Sequence, residues 1–270
     1  MRQRVFTAVV GAPVVLAALF APTAWPLARL MLAAVVAGSI EIAEMVDKSR
    51  RETPLAGVLV VLLVGCQALG LLPRLHGSLE PFLLFGLWLV GVAATRALIA
   101  GRRPAWLREL SALWVGAPMA ALLWVAFAQP VAGDDWRLGN PLIMPLFAIW
   151  AGDSAAILAG RWFGKRPLAP RISPKKTVEG SLANLVVCVL VALLVAWSLD
   201  APLAIGFAVG AICGVLGQVG DLFESALKRT WGKKDSGVIL PGHGGLLDRV
   251  DSILFAAPAS VLVMLPWVQP

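Results

Sequence analysis

Residues 181 to 199 read SLANLVVCVLVALLVAWSL, an uninterrupted apolar run from Ser181 to Leu199 without one charged side chain. As a helix it would rise about 28 Å at 1.5 Å per residue, close to the roughly 30 Å thickness of a bilayer's hydrocarbon. Only a helix or a closed barrel can sit there, because every backbone N–H and C=O must find its partner inside the segment. Working outward, Val5 to Trp25, Pro54 to Leu72 and Phe82 to Thr95 are runs of the same kind. The whole 270-residue chain is 59% hydrophobic and 14% charged, against about a quarter charged in soluble domains. A water-soluble core is excluded by that excess. A transmembrane barrel would show segments of about ten residues with alternating polarity, and no stretch keeps such alternation. The fold class is therefore all-α, a polytopic helical membrane protein.

Nine spans are expected, at about 5–24, 26–46, 54–73, 81–100, 110–131, 141–160, 180–199, 202–223 and 250–268. Arg2 and Arg4 precede the first, which is too long for a signal-peptide core and is read as a retained helix. The net charge is +7, but the basic residues sit in short loops between apolar runs. Anionic headgroups and the positive-inside rule account for them, and nucleic acid is not an expected partner. With the N-terminus inside, 19 of the 23 Lys and Arg residues fall in cytoplasmic segments. That asymmetry predicts a cytoplasmic N-terminus and a periplasmic C-terminus. Cys66, Cys188 and Cys213 lie in apolar segments without metal-ligand spacing and read as small core residues. One membrane domain, 1–270, is expected, with its chemistry in region 150–252: the two largest polar loops, 161–179 and 224–249, and the helix ends beside them.

The second of these loops is the richer. Asp221, Glu224, Ser225 and Lys228 recur at i, i+3, i+4 and i+7, one face of the eighth span's end, and Asp248, Asp251 and Ser252 share a face at the start of the ninth. Two helix ends thus aim carboxylates at a common point. Mg²⁺ would relieve their repulsion, since it prefers hard oxygen ligands and completes its shell with water and phosphate. Asp221 and Asp248 are the first choice of ligands, with Asp251 and Asp153 in reserve; Asp153 is an acid within the sixth span, where ionisable groups are functional candidates. Pro241, Gly242, His243, Gly244 and Gly245 form a stretch able to turn several backbone N–H groups toward a phosphate. In the other loop Ser173 and Pro174 start a turn, and Lys175 and Lys176 precede a helix whose N-terminal end favours anions. Glu41 and Glu44, one turn apart near the inner end of the second span, either line the site or face water. Gly206, Gly210 and Gly214 at four-residue spacing mark a close helix contact.

These residues together resemble a known family. Ser225-x-x-Lys228-Arg229, then Lys234-Asp235-Ser236-Gly237, then Leu240-Pro241-Gly242-His243-Gly244-Gly245-x-Leu247-Asp248-Arg249-x-Asp251-Ser252 is similar to the signature of bacterial phosphatidate cytidylyltransferases. Asp153, Ala156, Gly160, Phe163-Gly164 and the run Ser173-Pro174-Lys175-Lys176-Thr177-x-Glu179-Gly180 resemble the family's upstream motifs, while Ile157 and Val178 stand where that family usually has Tyr and Trp. The resemblance implies a multi-pass enzyme of the bacterial cytoplasmic membrane. It would join CTP to phosphatidic acid, giving CDP-diacylglycerol and pyrophosphate, with Mg²⁺ required and a second cation and a homodimer both compatible. It implies that Asp221 and Asp248 hold metal with Asp251 supporting, and that Lys228 and Asp235 belong to the catalytic set. Ser173, Lys175, Lys176, Ser225, Arg229, Lys234, Gly242, His243, Gly244, Gly245 and Arg249 would contact substrate. A transporter using Asp153, Glu41 and Asp221, and a lipid-alcohol kinase, are the alternatives. Clustering of the polar residues at one face favours the enzyme over the transporter.

Overall fold

The computed structural model describes residues 11, 13–21, 25–46, 54–68, 79–101, 105–127, 129–130, 140–239 and 244–269. Apolar sequence and internal backbone pairing make nearly all of this helical. A short helical segment at 13–19 (α1) is followed by α2 (Trp25–Val46), α3 (Ala56–Ala68), α4 (Leu79–Ile99), α5 (Ala105–Ser111) and α6 (Leu113–Phe127). Then come α7 (Ile143–Phe163), α8 (Val178–Ser198), α9 (Leu203–Thr230) and α10 (Leu247–Met264).

Six helices among the described residues are long and apolar enough to cross a membrane: Trp25–Met45, Leu79–Ile99, Arg108–Phe127, Ile143–Phe163, Val178–Ser198 and Leu203–Thr230. Five of them coincide within a few residues with expected spans, and the sixth, Leu203–Thr230, starts where expected and runs seven residues past the expected end at 223. Of the other three, half of the span at 5–24 lies outside the described residues. The span at 54–73 is represented by the 13-residue α3, and the last by α10, whose first five residues include Asp248, Arg249 and Asp251, which dilute its apolar character.

α6 occupies the centre. It touches α2, α3, α4 and α10, and Leu113 through Ala126 are all buried, as expected for a helix that is apolar all round. The remaining core is built as two hairpins, with α7 against α8 and α8 against α9, while α10 closes the gap between α9 and α6. The glycine stripe is a packing device as expected: a β-carbon on Gly206 would meet Ala196, one on Gly210 would meet Val189 and one on Gly214 would meet Leu185, all on α8. Beneath the polar end lies an aromatic cluster. Trp114 stands 5.2 Å from Phe223, Phe223 stands 5.1 Å from Phe255, and Trp88 stands 5.2 Å from Phe255. Each such pair contributes about 0.5–1.5 kcal/mol beyond its buried area, and the cluster ties α4, α6, α9 and α10 together.

Two short antiparallel pairs complete the fold. Gln129–Pro130 (β1) pairs with Val268–Gln269 (β4) at one end of the bundle. Pro167–Ala169 (β2) pairs with Ser173–Thr177 (β3), a hairpin within the segment expected to be a plain loop. α9 has 28 residues, about 42 Å of helix, so it outruns the hydrocarbon by some 12 Å. Its overhanging end carries the charged residues.

Candidate active site

The hairpin β2–β3, the end of α9 and the start of α10 surround one cavity of about 1060 Å³. Its wall includes Asp153 of α7, Lys175 and Lys176 of β3, Asp221 of α9, and Asp248, Arg249, Asp251 and Ser252 of α10. Both expected loops therefore contribute. The i, i+3 and i+4 spacing puts Asp248, Asp251 and Ser252 on one wall, whereas of Asp221, Glu224, Ser225 and Lys228 only Asp221 lines the cavity.

Local sequence positions each part. Thr177 caps α8, accepting from the Gly180 N–H at 3.1 Å, so the helix starts at Val178 and Thr177 stands just outside its first turn. Glu179 accepts from the N–H groups of Lys165 (3.1 Å) and Arg166 (3.2 Å) and from the Arg166 guanidinium (3.0 Å). This ties the base of the hairpin to the helix it precedes. Lys176 then reaches across and forms an ion pair with Asp221, whose other oxygen receives the Ser225 hydroxyl at 3.4 Å. Arg229 is directed to loop carbonyls, donating to Ile172 O (3.4 Å) and Lys233 O (3.0 Å). It joins the hairpin tip to the turn after α9.

Lys228 is buried and shared by two carboxylates. It pairs with the fully buried Glu224 one turn earlier and with Asp248 Oδ1 at 2.5 Å. Asp248 Oδ2 accepts from Ser236 N–H (2.9 Å), Ser236 Oγ (3.1 Å) and Gly245 N–H (2.8 Å). Burial alone would push the Asp248 carboxyl up; the Lys228 ammonium and the Ser236 and Gly245 amides outweigh it and hold the carboxyl below the usual carboxylate range. Asp248 is thus a fixed anion.

The glycine stretch is only partly described. Gly242 and His243 lie outside the described residues. Gly244 has φ +83°, a left-handed turn that glycine adopts without strain, and Gly245 directs its N–H at Asp248. Lys234 and Asp235 are exposed in the turn after α9, and Ser173 lies in β3 opposite Ala169; none of the three is in the cavity wall.

A family match and three relatives fit this geometry. The model of the cytidylyltransferase family matches residues 2–266. The chain belongs to the cytidylyltransferase family. Proteins named phosphatidate cytidylyltransferase match it from Synechocystis (46% identical over 129 residues, 46% of this chain and 44% of the relative) and Bacillus subtilis (49% over 114 residues, 41% and 42%). A third, from Staphylococcus haemolyticus, is 43% identical over 119 residues, 43% of this chain and 46% of the relative. The aligned parts span less than half the length of each of these curated relatives.

Cytidylyltransferase chemistry calls for a divalent cation, and the cavity offers hard oxygen donors for one. Asp153, Asp221 and Asp251 all line this cavity, and repulsion among converging carboxylates is what a bound cation relieves. Among the described residues no group of three His, Cys, Asp or Glu side chains is already arranged around a cation point. Asp221 faces Lys176 instead, an ammonium standing where a positive charge is wanted.

Several residues of the cavity wall were not singled out from the sequence. Asn184 donates to Asp153 Oδ1 at 3.1 Å, Gln218 donates to Asn184 Oδ1 at 3.3 Å, and Ser181 pairs with Gln218. All line the same cavity. The signal was available: an amide inside an apolar span must find a partner there. Glu41 neither lines the site nor faces water; it is fully buried behind it.

Proposed function

We propose that this protein transfers the cytidylyl group of CTP to phosphatidic acid, giving CDP-diacylglycerol and pyrophosphate. One observation carries the reading: Lys175, Lys176 and Arg249 line the same cavity as Asp153, Asp221, Asp248 and Asp251, in a chain whose relatives bear that enzyme's name. A cavity with both signs of charge suits two phosphate-bearing substrates held beside a cation.

In the reaction a phosphate oxygen of phosphatidic acid attacks the α-phosphorus of CTP. The new P–O bond forms as the bond to the β-phosphate breaks, and its electron pair leaves with pyrophosphate. The nucleophile is already anionic near neutral pH, so positioning and neutralisation are the main tasks. Lys175 and Lys176 approach from the hairpin and Arg249 from α10, to hold the triphosphate and the lipid phosphate between them. Lys176 is released from Asp221 to do so. Asp221 and Asp248 would hold Mg²⁺, with Asp251 and Asp153 beside them. Bound there, Mg²⁺ supplies charge neutralisation for the departing pyrophosphate and orients phosphate oxygens. Lys228 keeps Asp248 ionised and in place.

The nine-span count, the cytoplasmic orientation of this cavity and residence in a bacterial inner membrane complete the reading; the distribution of Lys and Arg supports them. The test is incubation of the purified protein in detergent with Mg²⁺, phosphatidic acid and CTP labelled at the α- or the γ-phosphate. Entry of α-label into lipid with release of pyrophosphate is expected. Entry of γ-label into lipid would point to a kinase and sink the reading, and no lipid labelling at all would return the transporter to consideration.

A further inference from the structure

Glu41 sits within the apolar helix α2, fully buried. Its carboxylate receives three hydrogen bonds, the Leu246 N–H at 2.8 Å on Oε1 and the Leu247 N–H at 2.9 Å and Ser236 hydroxyl at 2.8 Å on Oε2. Two of the donors belong to the opening of α10, where backbone N–H groups have no partner inside the helix and carry the positive end of its dipole. A buried carboxylate is costly unless such donors meet it.

The surrounding chain is shaped for this contact. A β-carbon on Gly237 would stand 2.6 Å from Glu41 Oε1, and one on Gly245 would stand 2.5 Å from Oε2. A side chain at either position of the loop would have to displace the Glu41 carboxylate, and at Gly245 the Ser236 hydroxyl and the Gly237 backbone N as well. The same loop holds Asp248 from its other side through the Ser236 and Gly245 N–H groups, and the Ser236 hydroxyl lies within 3.1 Å of both carboxylates. Glu41 is not part of the cavity wall, so it touches no substrate. It touches what holds Asp248.

We infer that Glu41 is a positioning residue for this site: it anchors Ser236 and the Leu246–Leu247 opening of α10 to α2 and so fixes where the Asp248 carboxylate stands in the wall it shares with Asp221. The inference rests on the reaction proposed above. A scaffold-only role would make Glu41 matter for stability and leave cation affinity alone. A positioning role makes cation affinity the sensitive quantity, since residues orienting a metal-holding group are typically worth about 10–100-fold in metal affinity or activity.

The test is Glu41→Gln, which keeps the size and one acceptor oxygen but turns an NH₂ toward a backbone or hydroxyl donor. Hydrogen exchange by mass spectrometry on the purified protein in detergent should show faster exchange at 236–239 and 244–248, with α7 and α8 unchanged. The Mg²⁺ concentration for half-maximal effect should rise about 10–100-fold, read both from turnover of α-labelled CTP and from Mg²⁺-induced protection of residues 246–252. Ser236→Ala, which removes only the shared hydroxyl, should shift both in the same direction by less, and serves alone if Glu41→Gln does not fold. Glu44→Gln, an exposed neighbour one turn on, should match the wild type. An unchanged Mg²⁺ dependence in the tested variant overturns the inference, whether exchange is unaltered or raised throughout the protein. If the wild type itself forms no labelled lipid, the proposed reaction fails, and the Mg²⁺-induced protection still decides the role of Glu41.

Discussion

Asp221 illustrates how the site is poised. Its two oxygens serve Lys176 and Ser225, partners that substrate and cation can replace, whereas every contact of Asp248 is internal. Replacing either acid by Asn should reduce CDP-lipid formation by about 100-fold or more, the scale of losing one preorganised electrostatic group, while the protein still inserts and folds. Turnover of each purified variant checks this, and near-normal activity in either rejects the metal assignment. Asn184→Leu removes the donor to Asp153 without touching either acid; a loss of about 10–100-fold at an unchanged elution volume in size-exclusion chromatography is expected. The acids themselves were legible in the sequence because charge amid apolar residues is conspicuous. Glu41 was equally conspicuous but could not be assigned, because its partners lie 195–206 positions away, and only packing brings α2 against the start of α10.

At the level of elements, the hairpin β2–β3 was not foreseen. Residues 161–179 carry Gly, Pro and Lys in turn-like clusters, and the Pro167–Thr177 and Ala169–Ser173 pairs leave no alternation of apolar and polar residues to read. Its partner helix was foreseen, since Thr177 followed by Glu179 is helix-start chemistry. Thr177→Ala should lose the cap and cost about 1 kcal/mol, seen as a lower Tm in detergent, and it should also raise KM for CTP because the same residue sets where β3, with Lys175 and Lys176, meets α8. A fall in Tm with unchanged KM would separate the cap from the site. Helix existence was legible wherever the run was long. α10 was placed three residues late because its first turn is charged, and charge there signals a site as readily as it signals a loop.

For the whole molecule, the six long apolar helices follow directly from hydropathy, and the burial of α6 at the centre does not, since α4 and α8 are equally apolar yet a third buried. Lipid and protein interior are alike to an apolar side chain, so sequence alone leaves open which helix is surrounded. Orientation is open to a direct measurement. In a cysteine-free background, Lys165→Cys should react with a membrane-impermeant maleimide in inside-out vesicles and not in intact cells, and labelling in intact cells would reverse the topology.

The length of α9 has a further consequence. One unbroken rod joins Leu203 to the acid at Asp221 and the lysine at Lys228, so the depth of the reaction centre is set by where the bilayer grips that rod. A thicker membrane would draw the charged overhang toward hydrocarbon, and a thinner one would lift it into water, each at a fraction of a kcal/mol per Å. Turnover in vesicles should therefore peak at one acyl-chain length and fall on both sides of it. An enzyme of lipid synthesis built in this way would respond to the thickness of the membrane it helps to make.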